Sequence, residues 1–237
     1  MTRDLKTSIL KFKTIIPSSI FYFRTKEVGH VEINSKIENY KASFRLGDIQ
    51  EEDLFVLFIS SHGFIYKDSV PSGDVWIPYE DFMIQGSNFD DAAMKATSVS
   101  YQDIIVNLSQ MQCKKLVLID ACFSGGINKE EKQQEVQSIN DKIKEAGKRQ
   151  PGLVTITSST GEQPSYEDAE WQNGSFTEAI LEAFEKGDYN RDGVVSLSEL
   201  YKYINQRIPE LVRTQKGQAQ NPTITSFKMG TLPLFKK

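Results

Sequence analysis

Apolar residues in this chain cluster in short runs rather than in long periodic stripes. Leu54 to Ile59, Leu116 to Ile119 and Leu153 to Thr157 are rich in Leu, Ile, Val and Phe. Runs of this length and composition predict buried parallel strands. Helical patterns lie between and after them. Ser100-Tyr101-Gln102-Asp103 reads as a capping box opening a helix with Ile104, Ile105, Leu108 and Met111 on its apolar face. Ser175 with Glu178 opens a second, carrying Phe176, Ala179, Ile180 and Ala183, and Ser196 with Glu199 a third, carrying Leu200, Tyr201 and Ile204. A short apolar run at Ile20 to Phe23, a helical stretch near Ile33 to Phe44 and a β-rich run at Thr223 to Phe227 complete the pattern. Ile65 to Thr97 is polar with interspersed Gly and Pro, and predicts a loop facing the functional site. Strands alternating with helices predict an α/β sheet.

Composition narrows the classes of function. The chain has 237 residues, a formal net charge of −4 and a 39% hydrophobic content. That length supports one domain, or one and a half, with a sizeable core. The mild acidity offers no nucleic-acid footprint and no membrane-surface patch, and no apolar stretch is long enough to span a bilayer. Met1 to Leu10 alternates charged and apolar residues and lacks the apolar core of a signal peptide. The expected location is therefore the cytoplasm, with its thiols reduced. Residues 1–50 are expected to form an N-terminal lead-in, an incomplete start of the domain whose body spans 51–237. Within that body, 128–150 is a polar linker rich in Lys, Glu and Gln.

Chemistry concentrates at two strand ends. Ser60-Ser61-His62-Gly63 follows the first strand and Asp120-Ala121-Cys122-Phe123-Ser124-Gly125-Gly126 the second. In open α/β sheets, sites form at the carboxyl ends of strands. The chain has only two histidines and two cysteines. Cys113 and Cys122 flank a predicted strand, which holds them too far apart for a disulfide. Cys113 lies before that strand among Gln112, Lys114 and Lys115 and reads as a structural thiol; His30 has no strand leading into it. His62 and Cys122 thus form the candidate pair, the imidazole lowering the thiol pKa and later protonating a leaving amine. Asp120, two positions before Cys122, shares its strand face if the extended geometry continues, and a carboxylate there favours a cationic Arg or Lys. Capping of the strand end also fits Asp120.

These residues resemble the caspase-like cysteine peptidases, in particular the bacterial caspase-domain and metacaspase branch. The resemblance rests on Ser61-His62-Gly63, on Asp120-Ala121-Cys122-Phe123-Ser124-Gly125-Gly126 and on a His-to-Cys order and separation like that family's. It continues through Thr157 to Asp168, Asn173 to Thr177, Asp188 to Tyr203 and Gln220-Asn221-Pro222. It implies a caspase-like fold with a mostly parallel central sheet flanked by helices. It further implies a Cys122–His62 dyad with the Gly63 and Cys122 backbone amides as oxyanion donors, and Asp120 lining the P1 pocket, with Glu162, Ser165 and Glu167 beside it. The expected activity is a cysteine endopeptidase cutting peptide or protein substrates after Arg or Lys and needing no cofactor for catalysis, with self-cleavage in the 128–150 linker. The family's sheet normally begins with an apolar strand. Either Ile20 to Phe23 supplies it, or a larger polypeptide or regulatory subunit does. An inactive caspase-like scaffold and a different Cys–His acyl transferase also fit the same residues.

A second motif spans residues 188–199. Asp188, Asn190, Asp192, the Val194 carbonyl and Glu199, with Gly193 between, match the oxygen spacing of an EF-hand calcium loop. A tight turn followed by the Ser196–Glu199 capping box fits the same residues.

Overall fold

The computed structural model describes residues 20–24, 30–123, 143, 145, 150–160, 163–171, 173–226 and 228–236. In chain order its elements are β1 (Ile20–Arg24), α1 (His30–Arg45), β2 (Leu54–Ser72) and β3 (Val75–Gln85), then a 3-10 turn (Asp91–Thr97) and β4 (Ser98–Ser100). There follow α2 (Tyr101–Ser109), β5 (Lys114–Phe123), β6 (Leu153–Thr157), β7 (Glu167–Asp168), β8 (Asn173–Gly174) and α3 (Ser175–Lys186). The last are β9 (Val194–Ser196), α4 (Leu197–Lys216), β10 (Thr223–Ile224) and β11 (Pro233–Lys236).

Four parallel strands, in the order β1-β2-β5-β6, make the centre of the sheet. β10 adds antiparallel to β6, and β3 and β4 add antiparallel beyond the outer half of β2. The apolar run at Ile20 to Phe23 is the first strand, with Ile20 beside Val56 and Arg24 beside Ser60.

Alternation along the central strands divides the core between two faces. Phe55, Leu57, Ile59, Val117 and Ile119 pack with Ile37, Tyr101, Ile104, Ile105 and Leu108 under α1 and α2. Leu54, Val56, Phe58, Leu116, Leu118, Val154 and Ile156 pack with Phe176, Ile180, Leu200 and Ile204 under α3 and α4. Ile37, Ile49 and the partly buried Tyr40 and Phe44 place residues 35–50 in the first of these clusters. Among the described residues no helix is long and apolar enough to cross a membrane.

Two local expectations are corrected. Ile65 to Thr97 is no loop: β2 runs on to Ser72 and pairs with β3 from Gly63↔Ile84 to Ser72↔Val75. Toward its tip this ribbon has no buried face, with Val70, Val75, Trp76 and Ile77 exposed, so no alternating signal marks it. Ser175 does not cap α3. The N-cap is Gly174, in extended conformation and without a side-chain cap bond, and Ser175 is completely buried. Ser100 and Ser196 do cap their helices, accepting from the Asp103 and Glu199 N–H groups.

Candidate active site

Register along β2 and β5 builds the first half of the site. The pairing runs without a shift from Leu54↔Lys114 through Ser60↔Asp120 to His62↔Cys122 and Gly63↔Phe123. Neighbouring strands lie about 4.8 Å apart, so the two backbones bring a histidine and a cysteine side by side where the parallel pairing of β2 and β5 ends, although β2 itself runs on to Ser72. The His62 side chain is exposed. Beside it, the Ser61 hydroxyl donates to the Gln85 carbonyl at 2.7 Å and ties β2 to the end of β3. Gly63 is required by packing: a Cβ there would sit 2.5 Å from Phe82 Cε2 and 2.9 Å from Cζ. The Phe82 ring is fully buried against Tyr101 and has little room to yield.

Asp120 supplies the second half. Its side chain lies on the α3 side of the sheet, only 7% exposed. Ser165 Oγ donates to Oδ1 at 3.1 Å and Thr177 Oγ1 to Oδ2 at 2.6 Å. Burial pushes the Asp120 carboxyl up, bonds from Thr177 and Ser165 hold it down, and the charge of Glu167 pushes it further up. A Cβ at position 174 would come within 2.6 Å of Oδ2, so the glycine at the N-cap of α3 makes room for the carboxylate. The fold thus brings Asp120, Ser165 and Glu167 together, while Glu162 lies outside the described residues. Sequence reasoning missed Gly174, Thr177 and Gln220. Gln220 is completely buried and donates to the Ser158 carbonyl at 2.9 Å and to Ser165 Oγ at 3.3 Å.

The 188–199 loop is closed by its own hydrogen bonds. Asp188 Oδ2 accepts from the Gly193 N–H, Asn190 Oδ1 from the Asp192 N–H, and Asp192 Oδ1 from the Val194 N–H. Glu199 Oε1 accepts the Tyr189 and Asn190 N–H groups, and Oε2 accepts the Ser196 N–H and hydroxyl. Asp188 Oδ1 is the one buried side-chain oxygen of the loop left without a hydrogen bond. Val194 to Ser196 pair antiparallel with Pro233 to Lys236. Among the described residues, no group of three or more His, Cys, Asp or Glu is arranged to hold a metal.

The remaining candidates lie elsewhere. Cys113 is free and buried, and burial pushes its thiol up, away from the thiolate form. His30 begins α1 rather than ending a strand. Of the 128–150 linker, Ile143 is buried in the core cluster of α1 and α2. Lys142, Lys144, Lys148 and Arg149, basic residues of that linker, lie outside the described residues.

Comparisons with known proteins bear on the fold and the family. No curated protein sequence matches the chain. Among solved structures, the crystal structure of protein GSU0716 from Geobacter sulfurreducens superposes with a TM-score of 0.52 at 18% identity, covering 84% of this chain and 74% of that one. At that identity the likeness concerns the fold alone. The caspase-domain profile of peptidase family C14 matches residues 25–231, a span that begins just after β1 and takes in the His62 and Cys122 positions and the 188–199 loop. The chain belongs to the caspase-domain family of cysteine peptidases, Peptidase C14.

Proposed function

We propose that the chain is a cysteine endopeptidase that cleaves after arginine or lysine. The observation that carries this is the His62↔Cys122 register pair with the buried Asp120 two residues upstream on the same strand. His62 takes the proton of the Cys122 thiol, and the thiolate attacks the scissile carbonyl carbon. The oxyanion that forms is stabilised by the backbone N–H groups of Gly63 and Cys122, in keeping with the family. His62 then gives its proton to the leaving amine, and water hydrolyses the thioester to release the acid. Asp120 receives the cationic P1 side chain, with Ser165 around it and Glu167 as a second negative charge. No step calls for a metal or cofactor.

A reducing compartment such as the cytoplasm keeps Cys122 in its active thiol form. Self-cleavage in the 128–150 linker and assembly with further subunits belong to the same proposal. The test is covalent labelling by a peptide electrophile ending in arginine, with the adduct mapped by mass spectrometry. Labelling of Cys122 in the wild type, lost in His62→Ala and poor for an otherwise identical probe ending in aspartate, is the expected result. Equal labelling of Cys113, or of the aspartate probe, would contradict the assignment.

A further inference from the structure

The geometry points to Gln220 as the positioning residue of the P1 pocket: it orients the Ser165 hydroxyl toward Asp120 and so sets that carboxylate to receive a cationic side chain. This rests on the reading of Asp120 given above. Gln220 precedes β10, remote in sequence from both strand ends, and is completely buried. Its carboxamide is saturated. Oε1 accepts the Tyr166 N–H at 2.8 Å and the Ser175 hydroxyl at 2.9 Å, while Nε2 donates to the Ser158 carbonyl and to Ser165 Oγ. An amide can accept only through oxygen and donate only through nitrogen. Two donors on Oε1 therefore fix which way the group points, and Nε2 must meet Ser165 as a donor.

Ser165 Oγ, accepting from Gln220, directs its own proton onto Asp120 Oδ1 at 3.1 Å. The relay Gln220 Nε2–H to Ser165 O–H to Asp120 thus runs in one direction, and it favours the ionised carboxylate over the acid. Next door, the backbone of Asn221 accepts from the Thr160 N–H at 2.6 Å and its N–H donates to Gln163 Oε1 at 2.7 Å. The segment before β10 is thereby bound to the loop that carries Ser165. The hydrogen bonds of the Gln220 carboxamide go to Tyr166, Ser175, Ser158 and Ser165. Gln220 acts through Ser165.

The experiment compares peptides identical except for P1 arginine or citrulline, its uncharged isostere. The proteins are the wild type, Gln220→Met, Ser165→Ala and the double variant, each checked by thermal melting for a folded state. The wild type should favour arginine. Each single variant should lower the ratio of kcat/KM for arginine over citrulline about tenfold, as expected for loss of a hydrogen bond to a charged group, with most of the change in KM. The double variant should be no worse than Ser165→Ala alone, because the two residues act in series. General loosening of the fold would lower both substrates together and would add to the effect of Ser165→Ala. If Gln220→Met does not fold, Ser165→Ala still decides, since a wild-type ratio in that variant overturns the relay. A wild type without preference for arginine removes Asp120 as the P1 determinant, and the relay with it. A wild-type preference retained in both single variants leaves Asp120 in place and overturns only the role of Gln220.

Discussion

His62 and Cys122 are register partners on neighbouring parallel strands. Their proximity depends on ten consecutive pairs, beginning at Leu54↔Lys114, keeping step. A slip of one residue exchanges the faces of a strand. The alternating cores beneath Leu54, Val56 and Phe58 on one side and Phe55, Leu57 and Ile59 on the other hold the register. The juxtaposition of these two positions is thus set by packing along the strands before them.

Asp120→Asn removes the charge but keeps the shape of the proposed P1 floor. Steady-state hydrolysis of P1-arginine peptides should lose about tenfold or more in kcat/KM, mainly through KM, with little change for P1-citrulline. Because burial raises the Asp120 pKa, the preference for arginine should also fade, as pH falls, at a higher pH than an exposed aspartate would give. Glu167 is the charged neighbour that pushes in the same direction. An unchanged arginine preference in Asp120→Asn would place the P1 determinant elsewhere.

Gly63→Ala forces a methyl group against the buried Phe82 ring. Overpacking of this kind costs about 1–3 kcal/mol, which thermal or denaturant unfolding should report. Combining it with Phe82→Leu should recover part of that loss. If Gly63→Ala melts like the wild type, the close approach of β3 is wrong.

Acid unfolding should report the tie between α3 and α4. Glu182 is buried, which alone would push its carboxyl up, but bonds from Arg207 and Tyr203 and the charges of Arg207 and Lys186 bring it down to about 2. Both Arg207–Glu182 hydrogen bonds are 2.8 Å long. A carboxyl whose pKa is lowered on folding stabilises the protein above its unfolded pKa and loses that contribution as pH falls toward the folded value. Glu182→Gln should therefore be less stable than the wild type at neutral pH, by on the order of 3 kcal/mol. The difference should shrink between about pH 4.5 and about 2. A difference that stays constant over that range would mean that the charge of Glu182 is not what matters.

The 188–199 loop should depend on Glu199 whether or not a metal is present. Its carboxylate accepts three backbone N–H groups and one hydroxyl, so Glu199→Ala should cost about 1–3 kcal/mol in chelator. The same melting scans run in calcium test the EF-hand pattern. A higher melting temperature in calcium than in chelator, abolished by Asp188→Ala, would establish the site. Equal temperatures for the wild type would leave only a capped turn.

Much of this was legible in the chain. β6 has the limits its apolar run suggests, and the candidate dyad positions lie just past two apolar runs that are buried strands in the fold. The exposed ribbon of β2 and β3 was not legible, because a strand wetted on both faces leaves no alternation, and Pro71 and Pro78 argue against pairing although both sit in the register. The helix start at Gly174 was misread because Ser175 is the more obvious cap. The glycine is there to clear Asp120, a residue remote in sequence. Gln220 was legible only as part of the Gln220-Asn221-Pro222 resemblance, with no sign of a place at the site. Its importance arises from four partners that only the folded chain assembles.

The central claim is that Cys122 and His62 act as one unit, and peptide hydrolysis tests it most directly. Turnover of a P1-arginine fluorogenic peptide should be measured for the wild type, Cys122→Ala, His62→Ala, the double variant and Cys113→Ala. Each of the first two single variants should lose nearly all of the chemical rate, and the double variant should lose little more, since residues acting jointly fail together. Cys113→Ala should keep its activity. Substantial hydrolysis by folded Cys122→Ala, or losses from Cys122→Ala and His62→Ala that simply multiply, would contradict the mechanism.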